Sequence, residues 1–130
     1  MTEAEIRELL KAGEGFTVEY KECSSALNDS VFETVASFSN RYGGHILLGV
    51  REEKGIRTPI GVKADAITSI KKNFINVLNN PNKIFPSLYL TLEEIEIDGK
   101  LLLWVYVPVN SQVVFCDKKS LTETEMRIRI

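Results

Sequence analysis

The sequence predicts an α+β domain: a mixed, mostly antiparallel sheet of about five to six strands with about three helices packed on it. Three observations carry this expectation. Residues 16–21, 88–92 and 126–130 alternate apolar and other side chains with a period of two. Segments opening at Thr2, Asn28 and Asp65 instead carry apolar residues at helical spacing. The order is helix, strand, helix, strand, strand, helix and three strands, with no internal repeat and no low-complexity tract. All 130 residues read as one domain, a length near which single domains cluster.

Thr2-Glu3-Ala4-Glu5 is a capping box, in which the Thr2 hydroxyl serves an early backbone N–H and Glu5 reaches back. Ile6, Leu9 and Leu10 then make a short amphipathic helix, with Gly13 as its stop. In residues 16–21, Phe16, Val18 and Tyr20 share one face and Thr17, Glu19 and Lys21 the other, which predicts a half-buried strand. A polar loop leads to a helix capped by Asn28 or Asp29, with Val31, Phe32, Val35, Ala36 and Phe38 inward. Gly43-Gly44 ends that helix as a C-cap; a close backbone approach to a ligand is the second reading. Residues 45–50 read as a buried strand.

Residues 51–55 read as a turn into a short strand over 56–60, where Pro59 marks an edge or an end. Asp65 is expected to cap a third helix running to about Leu78, with Ile67, Ile70, Phe74, Ile75 and Leu78 inward. Leu88, Leu90 and Leu92 alternate, and the phase then passes to Ile95 and Ile97, which predicts a bulge near Glu93-Glu94. Asp98-Gly99 predicts a hairpin, and the returning strand over 101–109 belongs at the centre of the sheet. Arg127 and Arg129 share one face of the last strand, a solvated edge that blunts strand addition. The chain stops inside that strand, so it is expected to be the N-terminal piece of a longer protein with C-terminal domains beyond it.

A content of 44% hydrophobic and 26% charged residues, with a net charge of −2, excludes disorder. The longest apolar run, 101–107, falls far short of the roughly 20 residues a membrane helix needs. No basic segment followed by an apolar one opens the chain, so a cytoplasmic location is expected. Sixteen Lys and Arg stand against eighteen Asp and Glu. Any contact with nucleic acid therefore requires a local basic patch. Cys23 and Cys116 make no CxxC pair and read as two buried, idle thiols.

Several chemistries drop out by motif. The chain has no GxxxxGK[ST], no GxGxxG after a strand and no HExxH, and His45 is its only histidine. Acids and cations remain. Glu14 precedes the first strand, Glu19 lies on its polar face, and Glu52 follows the 45–50 strand. Laying the two strands side by side would draw Glu19 and Glu52 together. Three carboxylates about one spot favour Mg²⁺ or Mn²⁺, which activates water against a phosphodiester. Solvated surface glutamates are the plainer reading. Lys21 shares a face with Glu19, either as an ion pair or as a cation for phosphate. Arg41, Arg51 and Arg57, at a helix end, a strand exit and a hairpin, would extend it into a phosphate-binding patch.

Taken in order, residues 14–21 (E-G-F-T-V-E-Y-K), 35–44 (V-A-S-F-S-N-R-Y-G-G) and 45–52 (H-I-L-L-G-V-R-E) resemble the Schlafen AlbA-like domain. That domain occurs in Schlafen proteins and at the N-terminus of many bacterial proteins assigned as transcriptional regulators. Its pattern runs roughly E-x-x-x-x-E-F-K, then A-F-A-N-x-x-G-G, then a strand ending G-V-D-D. The likeness covers the first half of the chain well and the second more loosely. It implies a nucleic-acid-binding module for DNA or RNA that needs no cofactor to bind, for which the cations read above, Lys21, Arg41, Arg51 and Arg57, are the expected contacts. The alternative it implies is a divalent-metal-dependent ribonuclease, in which Glu14, Glu19 and Glu52 match the three acids of nuclease members and would hold Mg or Mn. Here Tyr20 stands for the usual Phe, Ser39 for an Ala, and Arg51-Glu52 for the Asp-Asp pair, which sets a cation beside the acids. The Schlafen core arranges two such domains in a horseshoe, so a homodimer of this chain is one expected assembly. Asn40 is expected to cap backbone at the helix end rather than to read a base.

Overall fold

A computed structural model describes residues 1–12, 17–117 and 127–129, and the side chains of 1–12 and 17–116. Gly13, Glu14, Phe16, Met126 and Ile130, and the side chains of Arg127 and Arg129, lie outside that description. Helix α1 (Glu3–Ala12) starts at its capping box: the Thr2 amide donates to Glu5 Oε1 at 2.9 Å and the Glu5 amide to Thr2 Oγ1 at 3.2 Å. Strand β1 (Val18–Lys21), helix α2 (Ser30–Asn40) and strand β2 (Gly44–Leu48) form a parallel β-α-β unit, in register from Val18 against His45 to Lys21 against Leu48.

Strands β3 (Val50–Glu53) and β4 (Ile56–Pro59) form a separate hairpin. A 3₁₀ turn at Ala64–Ala66 leads into α3 (Ile67–Leu78), and the short strand β5 (Ile84–Phe85) follows. Strands β6 (Glu93–Ile97) and β7 (Lys100–Val107) pair through Asp98-Gly99, and β8 (Phe115–Asp117) and β9 (Arg127–Arg129) complete the fold. The strands divide into sheets ordered β1-β2-β7-β6, β3-β4 and β5-β8-β9. The class is α+β, with every pairing antiparallel except β1 with β2. The returning strand β7 is central, as its apolar run predicts.

Alternation along β1, β2 and β7 sorts the core into two clusters, one on each face of the four-stranded sheet. Ile46, Leu48, Leu103, Val105 and Val107 meet Val31, Phe32 and Val35 of α2 and Ile70, Phe74 and Leu78 of α3. Val18, Tyr20, Leu47, Ile97 and Leu102 meet Ile6, Leu9 and Leu10 of α1 on the other face. Cys23 and Cys116 are both buried, and neither forms a disulfide. Burial in apolar surroundings pushes the Cys23 thiol up, which keeps it protonated and unreactive.

Five local expectations are corrected. Residues 45–50 are not one strand: β2 stops at Leu48, and Gly49, at φ 94, bends the chain into β3. A Cβ there would come within 3.1 Å of Leu102 and 3.2 Å of Val62, so the bend requires glycine on both counts. Residues 51–53 are strand rather than turn, because the two-residue turn needs only Lys54 and Gly55, both at positive φ. No bulge interrupts Glu93-Glu94, which pair in step with Trp104 and Leu103; the phase shift is the start of β6 after an irregular segment. Ile75 is 38% exposed, on the outer side of α3, and the cap position of α3 falls to Ala66, with Asp65 inside the preceding 3₁₀ turn.

Candidate nucleic-acid interface

Glu19 points to the α2 side of β1. The Thr34 hydroxyl of α2 donates to its Oε2, and Lys21 Nζ lies 3.9 Å from the same oxygen. Lys21 also donates to Ser30 Oγ at 3.1 Å, so its charge serves the start of α2. Glu52 belongs to the opposite side. It faces Arg57 across the β3-β4 hairpin, with Arg57 Nη1 3.6 Å from its Oε2.

The Arg57 guanidinium fixes that side. It lies 5.8 Å over the Tyr20 ring, on the face of β1 that turns away from Glu19. Its Nε donates to the Leu10 carbonyl at 2.8 Å, Nη2 to Lys11 at 2.9 Å and Nη1 to Gly55 at 2.6 Å. Arg57 thus closes the C-terminal carbonyls of α1, which carry the negative end of the helix dipole. The expected meeting of Glu19 and Glu52 does not occur, because β1 separates them and each has its own cation. Glu14 is outside the description. Among the described residues no three His, Cys, Asp or Glu side chains form a group that could hold a metal ion.

The four expected cations do not form one patch either. Lys21 and Arg57 are committed as above. Arg51 pairs with Glu22 at 3.2 Å and Glu53 at 3.7 Å, and the Glu22 hydrogen bond raises its affinity for its proton. Arg41, just past the end of α2, is exposed and makes no ion pair among the described residues.

Asn40 acts at longer range than expected. Its Nδ2 donates to the Val114 carbonyl at 2.8 Å, and the Val114 amide donates to its Oδ1 at 2.7 Å. The side chain thereby satisfies both backbone groups of a fully buried residue and ties β8 to the end of α2. Gly43 closes α2 as expected: its amide donates to the Phe38 carbonyl at 2.8 Å with φ at 74. A Cβ at Gly43 would sit 2.8 Å from the Val107 carbonyl and 2.9 Å from the Tyr106 hydroxyl, so a side chain here would displace β7.

The feature the sequence reading missed lies on the α1 face of the sheet. His45 on β2 is directly opposite Tyr106 on β7, and Trp104 is two residues along β7 on the same face. The His45 ring is 4.9 Å from the Tyr106 ring, edge to face, and 6.0 Å from Trp104, stacked. Trp104 Nε1 donates to His45 Nδ1 at 3.0 Å. That bond assigns the neutral tautomer with its proton on Nε2. Desolvation pulls the His45 pKa below the usual imidazole value, which favours the same neutral form. The signal was available: Trp104 and Tyr106 alternate within an otherwise aliphatic run. Their register against the sole histidine was not.

A β-α-β unit extended by an antiparallel hairpin defines a small α+β domain. The Schlafen, AlbA_2 family matches over residues 14–130, and the chain belongs to it. The N-terminal domain of an ATP-dependent DNA helicase RecG-related protein from Nitrosomonas europaea is similar in structure, with a TM-score of 0.71 and 26% identity. That likeness covers 96% of this chain and 85% of the other. The DIP2311 protein from Corynebacterium diphtheriae shares the fold at a TM-score of 0.56 and 16% identity, over 85% of this chain and 22% of its own. Among curated proteins none matches. No helix among the described residues is long and apolar enough to cross a membrane.

Proposed function

We propose that this domain binds nucleic acid, as the DNA- or RNA-contacting module of a cytoplasmic bacterial transcriptional regulator. Family membership carries the reading, together with likeness to the N-terminal domain of a protein described as DNA helicase RecG-related. The geometry favours binding over metal-dependent cleavage, because Glu19 and Glu52 stand on opposite sides of β1, each neutralised by its own cation. Arg41 is the phosphate contact among the four expected cations. Among the described residues Arg41 is the arginine that makes no ion pair, and a net charge of −2 on the chain keeps the electrostatic part of the affinity small. A homodimer would set two such arginines along one nucleic acid.

Titration against single- and double-stranded DNA and RNA at two salt concentrations tests this. The expected result is salt-sensitive binding with a shallow salt slope, lowered further in Arg41→Ala. Absence of binding to all four at low salt refutes it.

A further inference from the structure

We propose that the His45–Trp104–Tyr106 face is a stacking platform for the unpaired bases of a single-stranded nucleic acid. This rests on the nucleic-acid reading above and specifies the form of nucleic acid taken. Three rings stand in one row across two hydrogen-bonded strands, on a sheet whose backbone fixes their spacing. Tyr106 is 43% exposed, while the positions on either side of it, Val105 and Val107, are closed into the core. The row is therefore rigid beneath, open at Tyr106 and half-open at His45 and Trp104.

Its rings are held in place before any ligand arrives. The Trp104-to-His45 hydrogen bond and the edge contact of His45 on Tyr106 remove rotamer freedom that binding would otherwise have to freeze. A nucleobase offers a π-face of matching size, and such stacking tolerates any base. The Tyr106 hydroxyl and the His45 Nε2 proton add polar groups for base edges.

Charge sets the direction of the strand. Gly43 lies against the Tyr106 hydroxyl, and Arg41, exposed and without an ion pair among the described residues, stands two residues before it in the chain. Glu93 faces Trp104 across the β6-β7 pair and repels phosphates at the other end. Bases over the rings with phosphates toward Arg41 satisfy both. A duplex cannot use the platform, because its bases are already stacked on one another.

Trp104 is the only tryptophan, so its emission reports on this face alone. A short oligothymidylate, a short oligouridylate and a duplex of equal phosphate content are titrated at low salt. Tryptophan emission and the anisotropy of the labelled strand are read together. Saturable quenching by a single strand, at the concentrations that raise anisotropy, is expected, with none from the duplex. Quenching by only one of the two homopolymers identifies DNA or RNA as the source. Tyr106→Ala weakens single-strand binding by about tenfold, and Tyr106→Phe, which keeps the ring, leaves it within about twofold. Binding that leaves the emission unchanged, or an undiminished Tyr106→Ala, overturns the platform while the binding module stands. No binding of any oligonucleotide removes both.

Discussion

On the α2 face of the four-stranded sheet, Ile46, Leu48, Leu103, Val105 and Val107 are all closed under two helices. On the α1 face one ten-residue helix covers Leu47 and Leu102, while Tyr106 stays 43% exposed and His45 and Trp104 half-buried. The same strands build both faces, so the difference lies in what covers them and in which residues alternate outward. Aliphatic side chains fill the side that two helices seal. Aromatic side chains with polar atoms occupy the side left partly open, where a ring can bury its body and still present an N–H or O–H. Stability and binding should therefore separate by face.

The sealed face should break first and hardest. Asn40→Ala strips both hydrogen bonds from the buried Val114 backbone, and unfilled buried polar groups are expensive. A loss of about 2–4 kcal/mol in chemical denaturation is expected, with nucleic-acid affinity of the folded fraction unchanged. Arg57→Ala should cost less, about 2 kcal/mol, because the freed carbonyls of α1 regain water at the helix end. Hydrogen exchange should show the last turn of α1 opening while α2 stays protected.

The pH response sharpens the comparison on the open side. His45 has a folded pKa below its unfolded value, so the unfolded chain takes up a proton that the native chain resists. Stability should be fully present above the ordinary imidazole range and fall as pH drops through it toward the depressed native value. Urea midpoints measured between about pH 7.5 and 5.5 should show this slope, and His45→Gln should flatten it. Asp98 and Glu5, held low by Arg7 and Thr2, act in the same direction but only in the carboxylate range below that window.

What the sequence made legible was local. The Thr2–Glu5 capping box, the Asp98-Gly99 hairpin and the inward stripe of α2 each depend on residues a few positions apart, and each is present. The α+β class and the central place of β7 follow from the same short-range periodicities. Side-chain partners were less legible as sequence separation grew. Arg57 reaches Leu10 and Lys11, and Asn40 reaches Val114, through folding that no spacing encodes. Glu19 and Glu52 looked convergent because adjacent strands suggest proximity. The bend at Gly49 and the alternation of β1 assign them to different sides. The role of His45 was hidden for the converse reason: its partners are cross-strand, on β7.

The most direct measurement pairs two readings on Tyr106→Ala: affinity for a short single-stranded oligonucleotide and the urea midpoint. Stability should move by no more than about 0.5 kcal/mol, as for a surface position, while affinity falls about tenfold. An unaltered affinity, or a loss of binding matched by a loss of stability, would contradict the division of labour between the two faces.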